Sequence, residues 1–468
     1  MRAGLTAFFA CASALALAQD KPNFIVIFID DMGWGDISAN GQTNYQTPNI
    51  DRLAAEGMRF TDFYAMSPGC SPSRAALLTG CYPQRVSIPQ VLGPDSKIGL
   101  NPAETTIAEM LKEQGYATAM YGKWHLGVTT PLMPLNHGFD EFFGLPYSND
   151  MWPVNGKTWP PLYLYEGNEP VKHIASLEDQ DQLTRLYTER TIDFIKRHKD
   201  EPFFVYLPHS MVHVPLGVST AFKGASNHTY FGDAVMEVDW SVGQITSALR
   251  ELGLDDETMI VFTSDNGPWL PYGDHAGVTG GFREGKGTTF EGGMREPGIF
   301  WMPGRIPAGQ VSSEIATTMD VLPTIAHLAG ARLPEKRIDG HDIWPLLTDS
   351  AAKSPTKALF YYWPGELQAV RVGDWKLHVP HSHRHQKGPG GKNGESAGQV
   401  MVNIGLSLFN LKDDPYETTN LAQEYPEVTW RLLELMNDMR NDLGDTGRRM
   451  QGTGRREPGR VASGSQYQ

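Results

Sequence analysis

The chain has 468 residues, with 40 Lys and Arg against 54 Asp and Glu, a formal net charge of -14. So acidic a surface disfavours nucleic acid as a partner and repels polyanions at long range, so any polyanionic ligand has to be met by a local basic patch. Three cysteines are too few for a disulfide-stapled scaffold, and the length allows one large α/β domain plus a smaller unit.

Residues 1–18 carry one Arg, an apolar run through Leu5, Phe8, Phe9 and Leu15, and the ending Ala16-Leu17-Ala18, the pattern of a cleaved secretory signal. The mature chain is therefore expected to be exported, periplasmic or secreted, and no later segment reaches the roughly 18 apolar residues of a membrane span. Asn23–Ile29 is a continuous apolar, β-branched run that ends in Asp30-Asp31, as a buried central strand delivering carboxylates at its end would. A helix over 49–56 stops at Gly57. Cys70-Ser71-Pro72-Ser73-Arg74 then opens a helix running to Gly80, with Cys70 just before its first turn. Free N–H groups and the positive dipole end there suit an anion, and Arg74 leans back over the same turn.

A helix over 104–114 and a strand over 117–121 lead into Gly122-Lys123-Trp124-His125-Leu126-Gly127, where Lys123 and His125 face one side if the segment stays extended. Ser148 lies in a Pro-Tyr-Ser-Asn turn, and Glu166-Gly167-Asn168 marks a hairpin. Further elements are a helix near 184–198, a strand over 203–207, a helix over 233–252 and a strand over 258–263. His209-Ser210-Met211-Val212-His213-Val214-Pro215 follows the first of these strands and Ser264-Asp265-Asn266-Gly267 the second. Alternating strands and helices imply a large, mostly parallel sheet flanked by helices, with Asp30, Asp31, His125, His213, Asp265 and Asn266 at the carboxyl ends of its strands. Asp30, Asp31, Asp265 and Asn266 form an all-oxygen set suited to Ca2+, with Mg2+ possible. Lys286 sits between flexible glycines in Gly285-Lys286-Gly287.

Pro- and Gly-containing stretches at 333–335 and 348–355 divide a domain over 19–350 from a smaller α+β subdomain over 351–445. The latter is expected to hold strands over 358–363, 369–379 and 406–411, forming an antiparallel sheet, and a helix over 426–443. Residues 446–468, with five Arg among Gly and Ser, read as a disordered tail. His378, His381, His383, His385 and Lys387 offer a cationic lip for an anionic ligand, a second metal site or a mobile loop. Trp152, Trp159, Tyr163 and Tyr165 are candidates for stacking on a sugar.

The Cys-x-Pro-Ser-Arg string, Gly-Lys-Trp-His-Leu-Gly, the His-x-Pro loop at 213–215, residues 285–297, residues 137–150 and the 408–421 segment together resemble the type I sulfatases of the alkaline phosphatase superfamily, closest to their arylsulfatase A and N-acetylgalactosamine-6-sulfatase branch. The resemblance implies an alkaline phosphatase-like fold and hydrolysis of an organic, carbohydrate-type sulfate monoester. It also implies oxidation of Cys70 to formylglycine by a formylglycine-generating enzyme. By the same resemblance Cys70, Arg74, Lys123, His125, His213 and Lys286 are catalytic, Ser148, His213 and Lys286 touch the sulfate, and Asp30, Asp31, Asp265, Asn266 and modified Cys70 hold one divalent cation. Two other readings stay open, a phosphate or phosphonate monoester hydrolase of the same superfamily and an inactive sulfoglycan-binding homologue.

Overall fold

The computed structural model describes residues 21–154 and 158–461, so the secretory pattern at 1–18 lies outside the described residues. Its centre is the strand Asn23–Ile29, in which Phe24, Val26 and Phe28 face one layer and Ile25, Ile27 and Ile29 the other, all fully buried. Both faces must be covered for such a run to be stable, and helices cover both. Helices Cys70–Thr79, Ile107–Lys112 and Val321–Ala329 pack with the first set, and Pro48–Glu56, Leu183–Arg197 and Tyr230–Leu252 with the second.

From edge to edge the large sheet runs Gln310–Ser312, Met58–Tyr64, Arg295–Trp301, Thr258–Ser264, Asn23–Ile29, Phe203–Pro208, Ala117–Lys123, Glu141–Leu145, Leu162–Glu166 and Glu169–Ile174, with Ala316–Thr317 added beside Met58–Tyr64. The five strands from Thr258–Ser264 to Glu141–Leu145 are mutually parallel, and antiparallel strands flank them. Asn23–Ile29 and Thr258–Ser264 run in register, with Ile29 opposite Ser264, so Asp30 and Asp265 leave the sheet side by side. No helix among the described residues is long and apolar enough to cross a membrane.

Several boundaries shift for local reasons. Thr106 caps the third helix by accepting from Glu109 N (3.1 Å) while Glu109 accepts from Thr106 N (2.8 Å), so this helix begins at Ile107 and not at Glu104. Gly373, at φ 55°, turns the expected single strand over 369–379 into the hairpin Leu367–Val372 and Trp375–His378. With Leu359–Tyr362 and Ser407–Asn410 it makes a four-stranded antiparallel sheet, on which helix Pro426–Leu443 packs through Leu432 and Met436. The tail is not disordered as far as residue 461. Gly459–Arg460 pairs with Ile98–Gly99, and Arg456 binds Glu104 (2.8 Å) and the Cys81 sulfur (3.1 Å), contacts that composition alone does not announce.

His209 is buried against Tyr187 with Nε2 3.2 Å from Ser241 Oγ, which makes it a core residue. Burial pushes it down to about 3, and His137 to about 4. Because these folded-state values lie below the unfolded value of about 6.5, the unfolded chain takes up protons first as pH falls. Stability present above pH ~6.5 is therefore lost progressively toward pH ~4. Tm is expected to drop across that window in thermal melts, and His209→Gln to flatten part of the drop; a variant whose Tm tracks the parent at every pH contradicts this role.

Candidate active site

Gly69, extended at φ -155° and ψ 148°, caps the helix Cys70–Thr79, and Gly80 at φ 65° closes it. Cys70 is thus the first helical residue, one position further in than expected. It lies 3.5 Å from Asp30 Oδ1 and 3.4 Å from Lys286 Nζ. A side chain on Gly69 would come within 2.6 Å of the Trp363 ring, so only glycine lets the C-terminal sheet close over this helix start.

The strand ends supply the charges. Asp30 accepts from Lys123 Nζ at 2.5 Å, and Lys123 also reaches Ser148 Oγ at 3.1 Å. Arg74, fully buried, donates Nη2 and Nε to Asp265 Oδ2 (2.6 and 3.1 Å) and Nη1 to the Lys123 carbonyl (2.8 Å). Lys286 Nζ holds Asp31 Oδ1 at 2.6 Å and stands 4.8 Å from the Trp269 ring centre. Three carboxylates and three cations therefore interleave, all buried or nearly so.

A divalent cation fits here. Asp31 Oδ2 and Asn266 Oδ1 are buried without a hydrogen-bond donor, although Asn266 Nδ2 donates to Asp31 Oδ1 (2.7 Å) and so is held in place. Ligand atoms of Asp30, Asp31, Cys70 and His213 lie within 4.8 Å of one another. Asp265 flanks this group, with Oδ2 on Arg74 and Oδ1 on Asp31 N at 3.2 Å. His213, expected at the same sheet edge but not among the groups holding the cation, joins the cluster through Nε2, 3.7 Å from Asp31 Oδ2.

His125 sits at φ 61°, so the backbone leaves the extended form there and the alternation expected for Lys123 and His125 fails. Both still reach the site, because the turn swings the imidazole back. His125 Nε2 is 2.8 Å from the Leu92 carbonyl, which as an acceptor places the ring proton on Nε2 and leaves Nδ1, buried and unpartnered, as a lone pair. His213 Nδ1 likewise points to a carbonyl, that of Val214 at 2.5 Å, so its bare Nε2 faces the cluster.

Burial, then Lys123 and Arg74, hold His125 well below its ordinary value, and burial, then Lys286, lower His213. Burial pushes the Cys70 thiol up to about 12 in spite of Lys123 and Lys286, so the thiol is no nucleophile at neutral pH. Asp30 is held well below the carboxylate range: burial opposes this, but Lys123, His213, Arg74 and Lys286 outweigh it. Burial and the neighbouring Asp30 raise Asp265 to about 7, a strain that a bound cation would relieve.

A cavity of about 560 Å³ opens over these groups, lined by Cys70, His125, Ser148, His213 and Lys286 and by Trp269, Trp363 and Arg384. The aromatic candidates lie elsewhere. Trp152 is in the core, Tyr163 stacks on His173 at 4.9 Å, and neither these nor Trp159 and Tyr165 line the cavity. Trp269 and Trp363 take that place. Trp269 follows the Asp265-Asn266 motif by three residues, a signal within reach of the sequence, whereas Trp363 arrives from the other sheet.

The histidine lip is also corrected. His378 is buried on Glu417 (3.0 Å), and His381 and His383 pack beneath the strand pair His381–Gln386 and Gln399–Ile404 against Phe290, with His383 alone of the four histidines also reaching the cavity wall. Burial lowers all three, so they are uncharged, and they form strands and not a mobile loop. None joins a metal-holding cluster among the described residues.

A family model described as Sulfatase matches residues 22–331, and one described as the C-terminal region of aryl-sulfatase matches residues 354–457. Arylsulfatase A of Bos taurus is 40% identical over 462 residues, covering 94% of this chain and 90% of its own. N-acetylgalactosamine-6-sulfatase of Mus musculus is 42% identical over 389 residues, 78% of this chain and 74% of its own. Among solved structures, the PsFucS1 sulfatase from Pseudoalteromonas sp. superposes with a TM-score of 0.81 at 30% identity, covering 90% of both chains.

Proposed function

This chain belongs to the sulfatase family and is a sulfuric ester hydrolase, and from that premise we propose that it releases inorganic sulfate from a sulfated saccharide at the cavity over Cys70. The observation that carries the assignment of the site is the convergence of Lys123, Lys286, Arg74 and a lone-pair nitrogen of His125 around the first residue of one helix.

In this family the cysteine is converted to formylglycine, whose hydrate supplies the attacking oxygen, and a divalent cation, which we take to be Ca2+, draws charge from the sulfate. Asp30, Asp31, Asp265 and Asn266 would hold that cation alongside residue 70. Lys123 and Lys286, fixed by Asp30 and Asp31, spread the negative charge that develops on the sulfate oxygens, aided by the helix N-terminus. Ser148, bound to Lys123, is placed to donate to the same oxygens. Lys286, kept protonated chiefly by Asp31 against the pull of burial, stands by the leaving oxygen with His213 next to it. His125 Nδ1 takes the proton from residue 70 that regenerates the site.

Among the described residues one cluster has metal-holding geometry, which favours single-cation sulfate chemistry over a two-metal phosphatase. All six proposed catalytic groups are in place, against the reading as an inactive sulfoglycan-binding homologue. The pattern at 1–18 supports export to the periplasm or beyond, and residues 19–350 and 351–445 are taken as the catalytic domain and its subdomain. A formylglycine-generating enzyme is the required partner in maturation.

Co-expressed with such an enzyme, the protein is expected to release sulfate, measured by ion chromatography, from one positional isomer in a panel of 2-, 3-, 4- and 6-sulfated sugars. No release from the panel or from an aryl sulfate removes the assignment. Chelation is expected to lower Tm and added Ca2+ to restore it, since saturation at ~100 times Kd contributes about 2.7 kcal/mol. A chelator-insensitive Tm counts against the cation site.

A further inference from the structure

We propose that Arg384 is a second anion-binding residue, and that the preferred substrates carry a further sulfate or carboxylate beyond the scissile sulfate. The inference rests on the sulfatase reading above and narrows its substrate class.

Arg384 lies in the middle of the strand His381–Gln386, opposite Met401 on Gln399–Ile404. Alternation along the strand separates two faces. His381 and His383 point down against Phe290, and His385 binds Glu284 at 2.8 Å, which anchors the pair on the catalytic domain. Ser382, Arg384 and Met401 are on the exposed side, and all three line the cavity over Cys70. A side chain added at Gly287, next to Lys286, would lie 3.7 Å from Arg384 Nη1 and 3.9 Å from Trp363 Nε1, so the guanidinium and the indole N–H both border the residue that follows Lys286.

The cation there is uncompensated. Every other arginine or lysine described at this site is ion-paired, Arg74 to Asp265, Lys123 to Asp30 and Lys286 to Asp31. The Arg384 guanidinium makes no ion pair within 4.0 Å and donates no hydrogen bond among the described residues. Three carboxylates share its cavities, Asp150, Glu284 and Glu366, and none is within ion-pairing distance of it; Glu284 is engaged by His385 and Glu366 by Gln368 Nε2 at 2.9 Å. The indole N–H of Trp363 also donates to nothing among the described residues. On a chain of net charge -14, a free guanidinium beside an indole donor at the mouth of an anion site selects for a second negative group. Planar, forked donors of this kind match a carboxylate or sulfate through two parallel bonds.

The test compares parent, Arg384→Lys and Arg384→Ala on three probes: 4-nitrophenyl sulfate, N-acetylgalactosamine 6-sulfate and N-acetylgalactosamine 4,6-disulfate. Arg384 is exposed, so the variants keep the fold, which thermal melts verify. Arg384→Ala is expected to raise KM for the disulfate by roughly tenfold or more, with kcat little changed and the two one-anion probes within about twofold. Arg384→Lys retains part of the effect, and high salt shrinks the difference. An equal change on all probes, no change on any, or turnover of the aryl ester without turnover of the disulfate overturns the proposal and leaves the sulfatase reading standing. Absence of sulfate release by the parent from all three removes the sulfatase reading itself and this proposal with it.

Discussion

Cys70→Ala lowers sulfate release by at least ~10⁴-fold on every substrate and leaves Tm within a few degrees of the parent. The thiol is buried and pushed up to about 12, so it has no nucleophilic role of its own, and the proposed mechanism assigns activity to the oxidised form of this position. Structurally the sulfur matters little. Its neighbours Asp30 Oδ1 and Lys286 Nζ belong to residues already secured by Lys123 and Asp31. Mass analysis of the peptide containing residue 70 in the parent is expected to show the thiol replaced by an aldehyde. Activity of Cys70→Ala near the parent's, with Tm preserved, would sink the mechanism.

Arg74→Met is the second large effect, and it combines stability with activity. Arg74 is fully buried and donates two N–H groups to one oxygen of Asp265, a carboxyl already raised to about 7 by burial and Asp30. Removing one member of such a pair leaves an uncompensated charge and costs about 3–5 kcal/mol, which in a chain of this length corresponds to a Tm loss of roughly 5 °C. Lys123 also loses the donor on its carbonyl, so sulfate release falls with stability. Asp265→Asn in the Arg74→Met background is expected to recover part of the Tm, because both charges are then gone. An unchanged Tm in Arg74→Met, or a double variant less stable than the sum of its parts, contradicts this account.

Much of the site is legible in the chain because its groups are local to strand ends. A continuous apolar run such as Asn23–Ile29 has to be buried on both faces, and whatever polar residues follow it emerge at one edge of the sheet. Asp30 and Asp31 were readable for that reason, as were Asp265 and Asn266 after Thr258–Ser264. The helix start at Cys70 was readable from Pro72, Arg74 and Gly80. Backbone detail was less so: the positive φ of His125 depends on what packs around the turn, and the one-residue shift of the helix start depends on Gly69 fitting under Trp363.

The C-terminal third divides differently. Its strands and final helix follow from alternation and periodicity, but their docking does not, since it is made by pairs far apart in sequence. His383 meets Phe290, His385 meets Glu284, and Arg456 meets Glu104. Four clustered histidines look cationic in a sequence; burial makes three of them neutral and leaves the charge at that rim to Arg384. The sequence by itself determined the fold class and the sheet edge at which the candidate site residues gather, because each motif is short and sits at the end of a periodic element. Only the tertiary structure decided which aromatic rings and which cation surround the leaving group, because that wall is assembled from a second sheet whose register and contact face are set by long-range packing.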